Sequence, residues 1–348
     1  MLPSLLRWSV VVALAACAAP DVGEVPAGTR DPQGGSAQLP PTSSSPAPGA
    51  SDPVGESPAP CVGGRGPGDY AHKVKVGELE REFLVHVPPG PKRTMPLVLV
   101  WHALTLTGTK PAILPTIREL TGFDAHADKR GFVTVYPEGI GKSWNGGECC
   151  VEAKAKNIDD VGFAKVILAE VAKDACVDEA RVYSTGFSNG GFFSHRLACE
   201  LGDRFAAIAS VSGTLGVPED TCVPKAPISV LQIHGTEDPL VPFLGGSPKI
   251  PLGGIFGTFS SVAATVAHWE AHDACTGSAT QTLRQGMVTC THKECAAGSE
   301  VGLCTVEGGG HQWPGSKPLP AMGPQTQDAD ATALIVDFLL SHTRPTVH

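Results

Sequence analysis

The chain has 348 residues, 42% of them hydrophobic and 18% charged, enough to bury one large core or two small ones. Its formal net charge of -9 argues against nucleic acid as a partner, because phosphate binding needs a cationic face and the sequence shows none.

The first elements in chain order bear on location. Met1 to Arg7 carries one positive charge, and Trp8 to Ala15 is an apolar run too short to span a bilayer. With Leu14-Ala15-Ala16-Cys17 behind it, this reads as a bacterial lipoprotein signal over residues 1–17, with Cys17 as the lipidated first residue of the mature chain. Ordinary cleavage near Ala16 or Ala18 is the alternative. On either reading the mature protein leaves the cytoplasm, and any membrane attachment runs through the lipid at Cys17. Residues 18–60 hold ten prolines and no aromatic residue, and such a segment cannot bury enough apolar surface to offset its ordering entropy. It reads as a disordered tether, with one folded domain over 61–348.

Cysteine usage fits an exported chain. Setting Cys17 aside leaves an even number of the 11 cysteines, which points to disulfides. Cys275 with Cys295, Cys290 with Cys304 and Cys199 with Cys222 are the expected pairs, and the adjacent Cys149 and Cys150 are expected to reach two different partners. A zinc site is disfavoured, since the one close spacing, Cys290 to Cys295, has no matching second pair.

Within the domain, Lys73–Val76 and Arg81–Val87 flank Gly77 as a hairpin. Pro96 to His102 is continuously apolar, as a central parallel strand buried on both faces would be. A helix over Ala112–Arg130, a strand over Phe132–Tyr136 and a helix over Asn157–Ala175 follow, the last with Asp159 and Asp160 as a cap. A strand ending at Gly186, a helix over Phe192–Leu201, strands over Ala206–Val211 and Ile228–Gly235, and a closing helix over Ala329–His342 complete the series. This alternation predicts an α/β fold with a doubly wound, mostly parallel sheet. The Gly- and Pro-rich stretch from Pro242 to Gly257 is too short for a large lid, so the site is expected to be open, suiting bulky or polymeric substrates.

Chemistry concentrates at Gly186-Phe187-Ser188-Asn189-Gly190-Gly191. This is G-x-S-x-G between strand and helix, where glycines let backbone pass on both sides of a strained serine. A serine hydroxyl needs a base. The candidates are Asp238, just after the Ile228–Gly235 strand, and His311 in Gly308-Gly309-Gly310-His311-Gln312-Trp313, where three glycines would leave the loop free to deliver the imidazole. Glu237 competes with Asp238. His234 competes with His311 but sits at a strand end, where a structural role beside the Asp238 loop is expected. The order Ser188, Asp238, His311 is that of α/β hydrolases. Oxyanion donors are expected from the backbone of Asn189 and of Leu104. Trp144 and Trp313 are either substrate contacts or packed loop edges. No cofactor or metal is needed, since nucleophile, base and oxyanion donors are all protein groups.

Trp144-Asn145 with Cys149-Cys150, Asp159-Asp160-Val161-Gly162-Phe163, the serine motif, His234-Gly235-Thr236 with Asp238, and Gly309-Gly310-His311-Gln312-Trp313-Pro314-Gly315 together resemble the secreted polyhydroxybutyrate depolymerase and feruloyl esterase family of α/β hydrolases. The resemblance runs from about Tyr70 to His342. It implies a disulfide-stapled hydrolase, a triad of Ser188, Asp238 and His311, and ester substrates such as hydroxyalkanoate polymers or the feruloyl and acetyl groups of plant polysaccharide. One departure is the oxyanion run His102-Ala103-Leu104-Thr105-Leu106, where the family has His-Gly followed by small residues, and a β-carbon at 103 restricts the backbone. An acyltransferase on the same motif and a non-catalytic surface binding protein are the competing functions.

Overall fold

The computed structural model describes residues 63–105, 116–248 and 257–344, all in one compact unit, Glu56–His348. The expected signal, Cys17, the tether and Leu106 lie outside the described residues. In chain order the elements are β1 (Gly68–Val76), β2 (Leu79–Val87), β3 (Met95–Trp101), α1 (Ile117–Thr121), α2 (Phe123–Arg130), β4 (Val133–Pro137), α3 (Val151–Ala155), α4 (Asp160–Asp174) and β5 (Val177–Phe187). There follow α5 (Asn189–Leu201), β6 (Ala207–Val211), β7 (Ser229–Gly235), α6 (Val262–His272), β8 (Thr280–Gln285), β9 (Val288–Glu294), β10 (Glu300–Val306) and α7 (Ala331–Ser341). The described strands form one sheet in the order β1-β2-β4-β3-β5-β6-β7-β10-β9-β8. From β4 to β10 neighbouring strands run parallel, and an antiparallel pair extends each edge.

Strand periodicity explains the two layers. Every residue of β3 is buried, and successive side chains point to opposite faces. Leu97, Leu99 and Trp101 join the core under α4, α5 and Trp269 of α6. Val98 and Val100 join the core under α2 and α7. The doubly wound, mostly parallel α/β sheet is therefore as expected.

The differences have physical causes. The single helix expected to Arg130 is two, because Gly122 adopts a φ of 62° between them, and Thr116 with Glu119 forms a capping box that starts α1. α6 and β8 to β10 were not predicted. β8 is mostly exposed along its length, so it lacks the apolar alternation that marks a half-buried strand. Of the aspartate pair, only Asp159 caps α4, accepting from the Gly162 N–H at 2.7 Å. Asp160 is instead buried in an ion pair with Arg81 at 2.7 Å.

Cys199–Cys222, Cys275–Cys295 and Cys290–Cys304 pair as expected, and Cys176 is also disulfide-bonded. Cys149 and Cys150 correct the expectation of two separate partners, for they pair with each other. Both sulfurs lie in one small buried cluster with Phe192, Val241 and Phe259, away from the cysteines already engaged.

The Arg81–Asp160 pair tethers β2 to α4. Burial pushes the Asp160 carboxyl up and the Arg81 guanidinium down, and each charge is supported by the other. Removing one partner strands the other charge. Arg81→Ala is expected to cost roughly 3 to 5 kcal/mol of stability, measured by urea denaturation.

Candidate active site

The serine turn is built from close backbone packing. Ser188 stands between β5 and α5 with φ 55° and ψ -117°, a region that L-residues rarely occupy. Its N–H donates to the Val211 carbonyl at 2.8 Å and its carbonyl accepts from the Phe192 N–H at 3.0 Å. A β-carbon at residue 186 would strike the backbone of Gly190, and one at 190 would strike the backbone of Trp101 and His102. Both glycines are thus required by contact, and Ser188 is left half-buried at the strand end.

Asp238 follows β7 and His311 follows β10, so both lie beyond the same ends of the parallel strands as Ser188. The two loops are stitched together. Thr236 donates to the Val306 carbonyl at 3.0 Å and Glu237 to that of Gly309 at 2.9 Å, while the Gly308 N–H donates to Thr236 Oγ1 at 2.7 Å. Asp238 Oδ1 accepts from the N–H groups of Leu240 and Val241, each at 2.8 Å. Its Oδ2 accepts from His311 Nδ1 at 2.7 Å. Burial would raise this carboxyl, but the His311 and His234 imidazoles, with their hydrogen bonds, outweigh it and hold Asp238 well below the usual carboxylate range. An ionised carboxylate only accepts, so His311 donates from Nδ1, and in the neutral imidazole Nε2 is then the acceptor. The His311 ring lies on Phe187, centroids 4.9 Å apart, beside the residue that precedes Ser188. Glu237, the rival carboxylate, is exposed. His234 is buried and its Nε2 meets the Val241 carbonyl at 2.8 Å and Asp238 Oδ2 at 3.4 Å, inside the Asp238 loop.

On the oxyanion side, Asn189 is the first residue of α5, so its N–H has no helical acceptor. Its side chain is committed elsewhere, with Oδ1 accepting from the Trp144 N–H at 2.7 Å and Nδ2 donating to the Trp144 carbonyl at 2.9 Å. Leu104 lies just past β3 and packs on the Cys149–Cys150 cluster. Thr105 donates to the Lys142 carbonyl at 3.1 Å, and His102 Nε2 accepts from the Gly139 N–H at 2.9 Å. These bonds fix the loop that carries Leu104.

A family model for phospholipases and carboxylesterases matches residues 152–280. NocK of Nocardia uniformis subsp. tsuyamanensis, assigned as an esterase, is 33% identical over 288 residues, covering 78% of this chain and 82% of NocK. Feruloyl esterase B of Piromyces equi is 35% identical over 175 residues, which is 49% of this chain and 31% of that protein. The chain belongs to the feruloyl esterase-like α/β hydrolases. It spans about a third of that Piromyces enzyme's length, against most of NocK's. A thermostable esterase of known structure shares the hydrolase's fold with a TM-score of 0.51 at 16% identity, over 79% of this chain and 63% of that one.

The two tryptophans of this hydrolase that were candidate substrate contacts, Trp144 and Trp313, are packed inside. Trp144 is 0% exposed, stacks on Phe193, meets Trp101 edge-on and His102 at a tilt, and donates from Nε1 to the His102 carbonyl at 3.0 Å. Trp313 is 1% exposed, donates to Thr332 Oγ1 at 3.0 Å and packs on Phe187. They support the site from beneath. Sequence reasoning missed Gln312, whose side-chain amide donates to the carbonyls of Leu319 and Gly323 and accepts from the Leu319 N–H, clamping the His311 loop. Its place beside His311 was the only signal. Among the described residues no cluster of three or more His, Cys, Asp or Glu side chains could hold a metal, and no helix is long and apolar enough to cross a membrane.

The depressed Asp238 gives a pH prediction. A carboxyl with a lowered folded pKa contributes stability that is full above its unfolded value of about 3.9 and is lost as pH falls through the folded value. The melting-temperature gap between the wild-type protein and Asp238→Asn is therefore expected to persist at neutral pH, to begin narrowing only below about pH 4, and to close as pH falls through the depressed folded value.

Proposed function

We propose that this hydrolase is a serine esterase that works through an acyl-enzyme. Ser188 Oγ attacks the ester carbonyl while His311 Nε2 takes its proton, and the alcohol leaves with that proton as the tetrahedral intermediate collapses. Water then repeats the sequence, giving the free acid and restoring Ser188. Asp238 holds the imidazole's tautomer and stabilises its charged form. The N–H groups of Asn189 and Leu104 are the proposed donors to the oxyanion. The single observation that carries this reading is the 2.7 Å bond from His311 Nδ1 to Asp238 Oδ2, at the same sheet edge as the left-handed serine.

For the substrate we favour feruloyl or acetyl esters of polysaccharide over hydroxyalkanoate polyesters. Feruloyl esterase B of Piromyces equi, at 35% identity, and feruloyl esterase C of Emericella nidulans, at 31% identity, support that preference. We also propose that residues 61–348 form the catalytic domain, carried outside the cytoplasm on the 18–60 tether and a lipid at Cys17. The disulfides support an oxidising compartment.

The test is a panel of feruloyl, acetyl and hydroxybutyrate esters with Ser188→Ala beside the wild type. The variant is expected to lose at least about three decades of kcat, and feruloyl or acetyl esters are expected to turn over faster than hydroxybutyrate oligomers. Faster turnover of hydroxybutyrate oligomers would overturn the substrate assignment. Capture of the acyl group by an added alcohol in preference to water would instead mark an acyltransferase. Cys17→Ser is expected to move the protein from the membrane fraction to the soluble one.

A further inference from the structure

Behind Asp238 lies a file of buried polar side chains that the proposed chemistry does not use. Trp269 of α6, His195 of α5, and Gln232 and His234 of β7 are each at most 1% exposed. Trp269 Nε1 is 3.1 Å from His195 Nδ1, and His195 Nε2 is 3.0 Å from Gln232 Oε1. Gln232 Nε2 is 2.8 Å from the Gly213 carbonyl and 3.0 Å from His234 Nδ1. His234 Nε2 reaches the Val241 carbonyl at 2.8 Å and Asp238 Oδ2 at 3.4 Å.

The chemistry of the first member fixes all the others. An indole N–H can only donate, so His195 Nδ1 must accept. His195 is neutral at pH 7, since burial lowers it to about 4, and its one proton then sits on Nε2 and points at Gln232 Oε1. That orients the amide with its NH2 toward Gly213 and His234. His234 Nδ1 accepts in turn, which leaves the His234 proton on Nε2, facing Val241 and Asp238. Reversing any one link would set donor against donor or acceptor against acceptor among side chains that are almost wholly buried.

We propose that Trp269, His195, Gln232 and His234 form a one-way hydrogen-bond relay that fixes the His234 Nε2–H toward the Val241 carbonyl and, at longer range, Asp238 Oδ2, making His234 a positioning residue for the carboxylate that orients His311. The oxygen that His234 faces is Oδ2, the same one that accepts from His311 Nδ1. With Oδ1 taken by two backbone N–H groups, the carboxylate has no free rotation left. The opposite His234 tautomer would present a lone pair to Oδ2 and to the Val241 carbonyl, repelling both.

The inference rests on the proposed role of Asp238, and the experiment separates the two. In the wild-type protein, nitrogen-15 NMR of the histidines is expected to show His195 and His234 both as Nε2–H tautomers. His234→Phe is expected to lower kcat about tenfold, the effect of one buried hydrogen bond, with KM within about twofold, while His234→Gln, which keeps a donor near the Nε2 position, recovers most of the loss. Gln232→Met, of similar size, is expected to release the His234 tautomer and lower kcat severalfold. A brace with no hold on the carboxylate would lower the melting temperature and leave kcat alone. Finding either histidine as the Nδ1–H tautomer, or kcat of folded His234→Phe within about twofold of wild type, would overturn the relay. If Asp238→Ala itself kept full kcat, the triad would fail; if it lost activity while His234→Phe did not, only the relay would.

Discussion

Holding Ser188 in a left-handed backbone conformation costs roughly 1 to 3 kcal/mol, and the central sheet is arranged to over-determine it. The residue is caught between β6, through its N–H to Val211, and the first turn of α5, through its carbonyl to Phe192. Gly186 and Gly190 let β5, α5 and the end of β3 close on one another around it. A side chain at either position would push the strand and helix apart and relax the turn. The strained geometry is therefore a property of three neighbouring elements in contact and does not depend on the serine's own preference.

That constraint propagates outward through satisfied polar bonds. The Asn189 amide, locked to both backbone groups of Trp144, ties the helix start to the segment after β4. The next residue, Asn145, donates its N–H to Asp160 Oδ2 at 2.8 Å, and Asp160 carries the Arg81 ion pair back to the sheet at β2. Arg81 in turn stacks its guanidinium on Phe163, 4.0 Å from the ring centroid. Trp144 sits in the middle of this path, and its burial follows from that position. An aromatic side chain so enclosed supports the turn mechanically, so substrate recognition falls to other residues.

How much of this the sequence disclosed depended on whether a residue's task left a local mark. Strands β3, β6 and β7 are buried on both faces and show as apolar runs. The serine motif, Asp238 and His311 were legible because strand ends and glycines frame them. β8 was not, since an edge strand facing water needs no apolar alternation, and β9, joined to it by the two-residue turn at Gly286 and Met287, buries little more than Val288 and Cys290. The link of Cys149 to Cys150 left no mark either, because adjacency in sequence ordinarily signals two partners. Gln232 and His195 were equally silent. A polar residue in an apolar run shows only that something buried must satisfy it, and the partner lies 37 residues away.

The three glycines before His311 show how a sound composition argument can miss its cause. They suggested a loop free to swing an imidazole into place, yet Gly309 and Gly310 and the loops facing them are packed with little slack. A β-carbon at Gly310 would strike the backbone of Met322 and Gly323, and one at Gly235 would strike that of Gly309. The His311 N–H donates to the Met322 carbonyl at 2.6 Å, and Gln312 clamps the far side. Glycine here allows backbone to approach backbone, at the cost of extra chain entropy in the unfolded state. An imidazole held in this way reaches its carboxylate partner already oriented, so little reorganisation is left for the step in which it takes a proton.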